Sequence, residues 1–246
     1  LSISMVIPSQ TTYKVAILDL YEGQANQGMR CIREILAEWG SKNNIQIQLD
    51  EFNVREHLAV PSLDYDLFIS SGGPGSPLDT IDTKWEAAYF SWLTQLEQWN
   101  NSTNCFPKKH AFFICHSFQL LCRHYEVGNV CKRKSTSFGV FPVHMMEDGH
   151  HELVFNGLRD PFYCVDSRDY QVIEPNHEKI RELGGAILAI EKNRPHVPFE
   201  RAIMAVRFND YFMGTQFHPE ADANGMAMYL QREDKKNVVI EAHGLA

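Results

Sequence analysis

The sequence predicts an α/β domain of three layers, a mostly parallel central sheet with helices on both faces. Three observations predict it. Val15, Ala16, Ile17 and Leu18 form an unbroken apolar run of strand length, as expected of a strand buried on both faces. Runs of that kind alternate with segments of helical spacing through the first half of the chain, the order that builds parallel sheets. Three segments rich in chemically useful residues, at 72–75, 115 and 216–220, fall where strands end, and open sheets of this kind gather ligands there.

The first strand is expected to open at Lys14. A loop from Tyr21 to Gln27 follows, rich in Gly, Asn and Gln. Met29, Ile32, Ile35, Leu36 and Trp39 then recur at helical spacing, with Gly40 expected to stop the helix. Ile45, Ile47 and Leu49 alternate as a second strand, and Leu67 to Ile69 form a third that runs into Ser70-Ser71-Gly72-Gly73-Pro74-Gly75. Trp85, Ala88, Trp92, Leu96 and Trp99 share one side of a long helix and read as core. Ala111 to Ile114 make a fourth strand with Cys115 at its end, and His116 to Tyr125 a helix.

From Ser137 onward the pattern becomes β-like, in short runs at Gly139–Met145, Phe162–Val165, Ala186–Ile190, Ala202–Phe208 and Tyr211–Phe217. Asn209-Asp210 suits a hairpin turn between the last two. A final helix is expected over Ala221–Arg232. Residues 1–13 read as an arm, 14–232 as one domain and 233–246 as a tail. No internal repeat or low-complexity tract divides the domain.

The chain has 246 residues, 44% apolar and 22% charged, which are ordinary globular values and enough to bury a core without staples. Its net charge of -8 repels a phosphate backbone, which argues against nucleic acid as a general partner. The basic run Lys132-Arg133-Lys134 is short and reads as a solvated loop. The six cysteines, Cys31, Cys105, Cys115, Cys122, Cys131 and Cys164, show no CxxC spacing. With no secretory leader evident, reduced thiols and a cytoplasmic location are expected. No apolar run approaches membrane-spanning length. His144, His150, His151 and His177 lack a metal-binding spacing, and the glycine turn lacks the Lys-Ser/Thr ending of a phosphate loop, so neither metal nor cofactor is expected.

The three strand-end segments offer a complete set of groups for acyl transfer. A thiol at a strand-to-helix turn feels the positive end of the following helix, which favours thiolate. His218 is placed to move a proton, and Glu220, two residues on, to orient and stabilise it. The amides of Gly73 and His116 suit an oxyanion. For the His116 side chain three roles stand open: a second acid, a group that tunes Cys115, or a bystander on the helix surface.

Ser-Gly-Gly-Pro-Gly-Ser, then Phe-Ile-Cys-His-Ser-Phe-Gln, then Gly-Thr-Gln-Phe-His-Pro-Glu-Ala resembles the class I glutamine amidotransferase family over about Lys14 to Leu230. The resemblance implies the flavodoxin-like fold of that family and a γ-glutamyl thioester on the cysteine, with ammonia released from glutamine. It assigns Cys115 as nucleophile, His218 as base, Glu220 as its partner and Gly73 as an oxyanion donor. It also assigns Gln119 to substrate binding, and aligns Val165-Asp166-Ser167-Arg168-Asp169, with Ser167 central, to the substrate-contacting stretch. The chain is similar to free-standing relatives of the amidotransferase part of GMP synthetase, which implies a separate synthase partner or a small γ-glutamyl substrate. Phe113 departs from the family, which has Gly there. Within the segment 127–151, Val130, Phe138, Val140, Phe141, Val143 and Met145 are expected to divide between core and, with the Tyr21 loop, a partner surface.

Two other classes remain. Phe-Ile-Cys, Phe138-Gly139-Val140-Phe141 and Ser167-Arg168 are similar to the homoserine acyltransferases, which share the Cys-His-Glu set. A catalytically silent binding or regulatory module is the third reading.

Overall fold

The computed structural model describes residues 11–233, 236, 237 and 240. The arm before Thr11 and most of the tail beyond 233 lie outside those residues. The order of elements is β1 (Thr12–Asp19), α1 (Gly28–Asn43), β2 (Gln46–Asn53), α2 (Val54–His57), β3 (Leu67–Ser70), α3 (Lys84–Asn101), β4 (His110–Ile114) and α4 (His116–His124). Then come β5 (Asn129–Met145), α5 (Glu147–His151), a single 3-10 turn (Leu153–Phe155), β6 (Phe162–Ile173), α6 (His177–Glu182), β7 (Ala186–Glu191), β8 (Ile203–Arg207), β9 (Phe212–Thr215) and α7 (Ala223–Leu230).

All nine strands join one mixed sheet in the order β2-β1-β3-β4-β9-β8-β7-β5-β6. The five strands β2, β1, β3, β4 and β9 run parallel, and the rest of the sheet is antiparallel. The apolar run of β1 explains the layering. Val15 and Ile17 pack with Met29, Ile32 and Leu36 of α1 on one face. Ala16 and Leu18 pack on the other with Trp92 and Leu96 of α3 and with Phe118 and Leu121 of α4. A residue-by-residue alternation between two buried faces makes the strand apolar throughout. Val143, Phe155, Phe162, Leu188, Met204 and Phe217 form a smaller core in the antiparallel half. No helix among the described residues is long and apolar enough to cross a membrane.

Several expectations are corrected. α1 passes through Gly40 and ends three residues later, where Asn44 takes the left-handed conformation (φ 54°) and its amide bonds back to the last turn. Lys132-Arg133-Lys134 is part of β5; Lys132 and Lys134 reach solvent, but the Arg133 side chain is buried beside Glu191. Strand β5 thus begins at Asn129, well before the first apolar run on it, and α2, α5 and α6 were not anticipated. Of the six apolar residues divided between core and surface, Val130 and Val143 are core and Val140 is 56% exposed. Of the tryptophans on α3, Trp85 and Trp92 are buried, whereas Trp99 is half-buried and donates to the Pro107 carbonyl at 2.9 Å.

Phe113 is fully buried, and β9 makes room for it. Phe113 faces Gly214 across the β4–β9 ladder. A Cβ at 214 would lie 3.0 Å from the Phe113 carbonyl oxygen, 3.2 Å from its Cβ and 2.9 Å from the Phe118 ring. The space that a glycine would open at 113 is therefore opened from the neighbouring strand, and Phe113 also meets Phe212 edge-on at 6.0 Å.

Candidate active site

β4 ends at Ile114, and the chain turns sharply at Cys115 into α4. Cys115 has φ 48° and ψ −95°, a strained conformation for a residue with a side chain. Such strain costs on the order of 1–3 kcal/mol and persists only where its surroundings enforce it. They do so here: the Cys115 amide donates to the Thr215 carbonyl on β9 at 2.8 Å. Two residues on, the Ser117 hydroxyl accepts from the Ile114 amide at 2.8 Å and lies 2.8 Å from the Ser70 carbonyl. Ser117 thereby ties the turn at Cys115 to β3, the strand that feeds the glycine turn.

β9 and β6 bring the other groups in. His218 follows β9, and its amide donates to the Val165 carbonyl of β6 at 2.9 Å, an isolated antiparallel bridge. His218 Nδ1 lies 2.8 Å from Glu220 Oε1. Glu220 is 5% exposed, and its second oxygen, Oε2, is buried with no hydrogen-bond partner among the described residues. Burial pulls the His218 imidazole towards the neutral form, but the charges of Glu220 and Cys115 outweigh it and raise its pKa well above the ordinary value. A Cβ on Gly72 would lie 3.0 Å from His218 Cε1 and 3.7 Å from Cys115 Cβ, so the glycine turn lies directly against the pair. Gly73 lines the same cleft as Cys115, His116, Gln119, Ser167, His218 and Glu220, a cavity of about 350 Å³.

Every site residue read from the sequence thus meets at one cleft, with differences of detail. The Gln119 side chain is buried, and its Nε2 donates to Gln216 Oε1 at 3.0 Å. Gln216 Nε2 in turn points at Cys115 Sγ from 3.6 Å. Ser167 approaches the sulfur through its backbone carbonyl, 3.8 Å from Cys115 Sγ. The His116 side chain is not on the helix surface: the residue is 1% exposed and Nε2 has no partner among the described residues. Burial first, and then the charges of Arg55 and Arg123, push its pKa down to about 3. That direction favours the neutral imidazole and weighs against His116 as an acid beside Cys115. No group of His, Cys, Asp and Glu with the makings of a metal site occurs among the described residues.

Three contributors were not assigned a role at the site from sequence, although the Tyr21 loop was expected near its mouth and Gln216 lies in one of the strand-end segments. Gln216 lies within the most specific motif but is spoken for only by its contact with the sulfur. Tyr21, expected on a partner surface, lines the cleft, and its hydroxyl is pushed well above its ordinary pKa by burial and then by the charge of Glu220. Arg55, from α2, donates through Nη1 to the Pro74 carbonyl at 2.8 Å and to the Leu20 carbonyl at 3.2 Å, joining the glycine turn to the end of β1. Its guanidinium lies 5.0 Å from the ring centre of Trp85. The position of Tyr21 just past a strand end was the available signal; for Arg55 the local sequence holds none.

The family model of glutamine amidotransferase class I matches residues 29–234. No curated protein matches the sequence. Among solved structures, a glutamine amidotransferase from Thermotoga maritima superposes with a TM-score of 0.65 at 14% identity, covering 94% of this chain and 85% of that one. The glutaminase domain of a Trypanosoma brucei CTPS with bound acivicin superposes at 0.62 with 16% identity, covering 87% and 88%. A glutamine amido transferase from Methylobacillus flagellatus gives 0.58 at 14% identity, covering 92% and 77%. At these identities the structures speak for the fold, and the family match, which spans most of the sequence, decides membership: the chain belongs to the class I glutamine amidotransferase family.

Proposed function

We propose that this chain hydrolyses the side-chain carboxamide of L-glutamine through a thioester on Cys115. The observation that carries the reading is the His218 Nδ1–Glu220 Oε1 contact at 2.8 Å in the cleft that holds the strained Cys115. Glu220 fixes Nδ1 as the protonated nitrogen and directs Nε2 to the reacting groups. Cys115 gives its thiol proton to His218, Sγ attacks the amide carbon and the carbonyl oxygen becomes an oxyanion, for which the Gly73 and His116 amides are the assigned donors. His218 delivers a proton to the departing nitrogen, and the C–N bond breaks to give ammonia and the γ-glutamyl thioester. Water, deprotonated by His218, then cleaves the thioester to glutamate. Gln216, backed by Gln119, holds the sulfur in place from the side, and Ser167 contributes to the substrate wall.

A glutamine analogue carrying a reactive ketone tests the chemistry. Mass spectrometry of the intact protein is expected to show one adduct per chain, located on Cys115 and absent from Cys115→Ser. Labelling at another of the six cysteines, or undiminished labelling of the variant, overturns the assignment.

The ammonia acceptor is proposed to belong to a separate synthase partner, as in relatives of the amidotransferase part of GMP synthetase. One solved neighbour is itself described as the glutaminase domain of a CTPS. Ammonia release from the pure protein at saturating glutamine is expected to be slow. Fast turnover with no partner present sinks the partner proposal and leaves a self-sufficient hydrolase. The acyltransferase reading leaned partly on Ser167-Arg168, and Arg168 is committed elsewhere: its guanidinium bonds Asp166, Glu191 and the Tyr170 carbonyl.

A further inference from the structure

Strand β5 carries a feature that the catalytic reading leaves unused. Its ladder with β6 is interrupted between Lys132, which faces Tyr170, and Ser137, which faces Arg168. Residues 133–136 therefore stand opposite Asp169 alone. Extra residues on one strand make a bulge, and bulges beside active sites re-aim side chains. This one, with Lys132, Ser76 and Asp79, lines a second cleft of about 480 Å³. The second cleft shares Gly75, Thr136, Asp169 and Tyr170 with the catalytic cleft, so a ligand that extends from Cys115 past Thr136 enters it.

The second cleft is built around positive charge in a chain whose net charge is -8. Lys132 and Lys134 are exposed and form no ion pair among the described residues. The Arg133 side chain is 6% exposed and reaches inward, with Nη1 3.1 Å from Glu191 and Nε donating to the Ser135 carbonyl at 3.2 Å. Its Nη2 has no acceptor among the described residues. Glu191 is shared with Arg168 at 3.2 Å and Arg194 at 2.8 Å, and Asp166 is the other carboxylate of the group. Three buried guanidiniums thus meet two carboxylates, one positive charge in excess. Burial first, and then the charge of Arg168, push Arg133 down to about 10, against the charge of Glu191. Asp79 and Asp169 line the same cleft, and Asp169 accepts from the Thr136 hydroxyl at 2.6 Å.

We propose that the β5 bulge and the outer end of the glycine turn form a subsite for a small anionic group, a carboxylate or a phosphate, next to the catalytic cleft. Lys132 and Lys134 supply the accessible charge, Arg133 the buried one, and Ser76 and Ser135 neutral donors. The anion comes either from the substrate itself, as the charged end of a γ-glutamyl compound longer than glutamine, or from a separate acceptor or effector. The first source rests on the reading that Cys115 attacks a carboxamide; the second does not.

Two measurements on the full chain separate these. Calorimetry with inorganic phosphate is expected to show binding to the wild type and to Cys115→Ser. Binding is expected to be about tenfold weaker in the double variant Lys132→Gln/Lys134→Gln, and to weaken as salt rises. Both lysines are exposed, so the variant is expected to fold. The second measurement compares kcat/KM for hydrolysis of γ-glutamylglycine and of its C-terminal amide. The substrates differ only in the remote charge, and water adds across the same C–N bond in both. A preference for the acid of about tenfold that falls towards unity in the double variant assigns the anion to the substrate. Lysine-dependent phosphate binding without that preference assigns it to a separate molecule, and the subsite stands. Lysine-dependent phosphate binding in a protein that neither labels nor hydrolyses glutamine keeps the subsite and removes the carboxamide reading. Glutamine hydrolysis with neither lysine-dependent phosphate binding nor an acid preference overturns the subsite and leaves the carboxamide reading intact.

Discussion

His218→Asn is expected to lower the turnover of glutamine by about 10³- to 10⁴-fold, with little change in stability. In the proposed mechanism the imidazole moves a proton between sulfur, leaving nitrogen and water, and asparagine keeps much of the size and polarity while losing that capacity. Glu220→Gln is expected to cost less, because Glu220 orients the ring through Nδ1 and does not itself carry the proton. The amide also removes the charge that, against the effect of burial, raises the His218 pKa. The acid limb of the pH–rate profile is therefore expected to move down in Glu220→Gln, because a His218 without its carboxylate partner deprotonates at lower pH. Steady-state ammonia release across pH measures both effects. A neutral Glu220→Gln would reduce that residue to a buried carboxylate near a helix start and place the orienting group elsewhere.

Arg168→Met is expected to destabilise the fold by about 3–5 kcal/mol, the usual result of removing one partner from a buried ion pair. Arg168 Nε lies 2.9 and 3.0 Å from the two oxygens of Asp166, which is 2% exposed. With the guanidinium gone, the Asp166 side chain keeps, among the described residues, only the Ser137 hydroxyl at 2.8 Å, whereas Glu191 retains Arg133 and Arg194. A carboxylate stranded in the interior accounts for most of the loss. Urea or thermal unfolding reads it, as a fall in melting temperature of roughly 10 °C for a chain of this size. The double variant Arg168→Met/Asp166→Leu is expected to recover a large part, since removing both charges leaves none unpaired. A shift below about 1 kcal/mol in the single variant would show that Asp166 is solvated or repartnered.

Much of the site was legible because its groups lie at places that local sequence marks. Cys115 follows the apolar run Ala111 to Ile114, the glycine turn follows Leu67 to Ile69, and His218 follows Tyr211 to Phe217. In a sheet whose strands run parallel, such ends converge on one edge, so the residues there meet however far apart they stand in the chain. The first strand was legible for a related reason: a strand covered on both faces has no polar positions, and the continuous run 15–18 says so without reference to anything else.

Residues whose surroundings come from distant strands were misread. Lys132-Arg133-Lys134 looks like a solvated loop, because the carboxylate that draws Arg133 inward, Glu191, lies 58 positions away and reaches it only when β7 pairs with β5. Phe113 looks too large for its place because the space for it is opened by Gly214 on β9. His116 looks like a helix-surface residue, yet the fold buries it and brings the charges of Arg55 from α2 and Arg123 from α4 to bear on it. The sequence by itself named the residues that gather at one cleft and the edge of the sheet they share, since periodicity and strand ends are local properties. Tertiary structure alone decided which charges are buried, which side chains fit and where the second cleft opens, since each depends on register and packing between segments far apart in the chain.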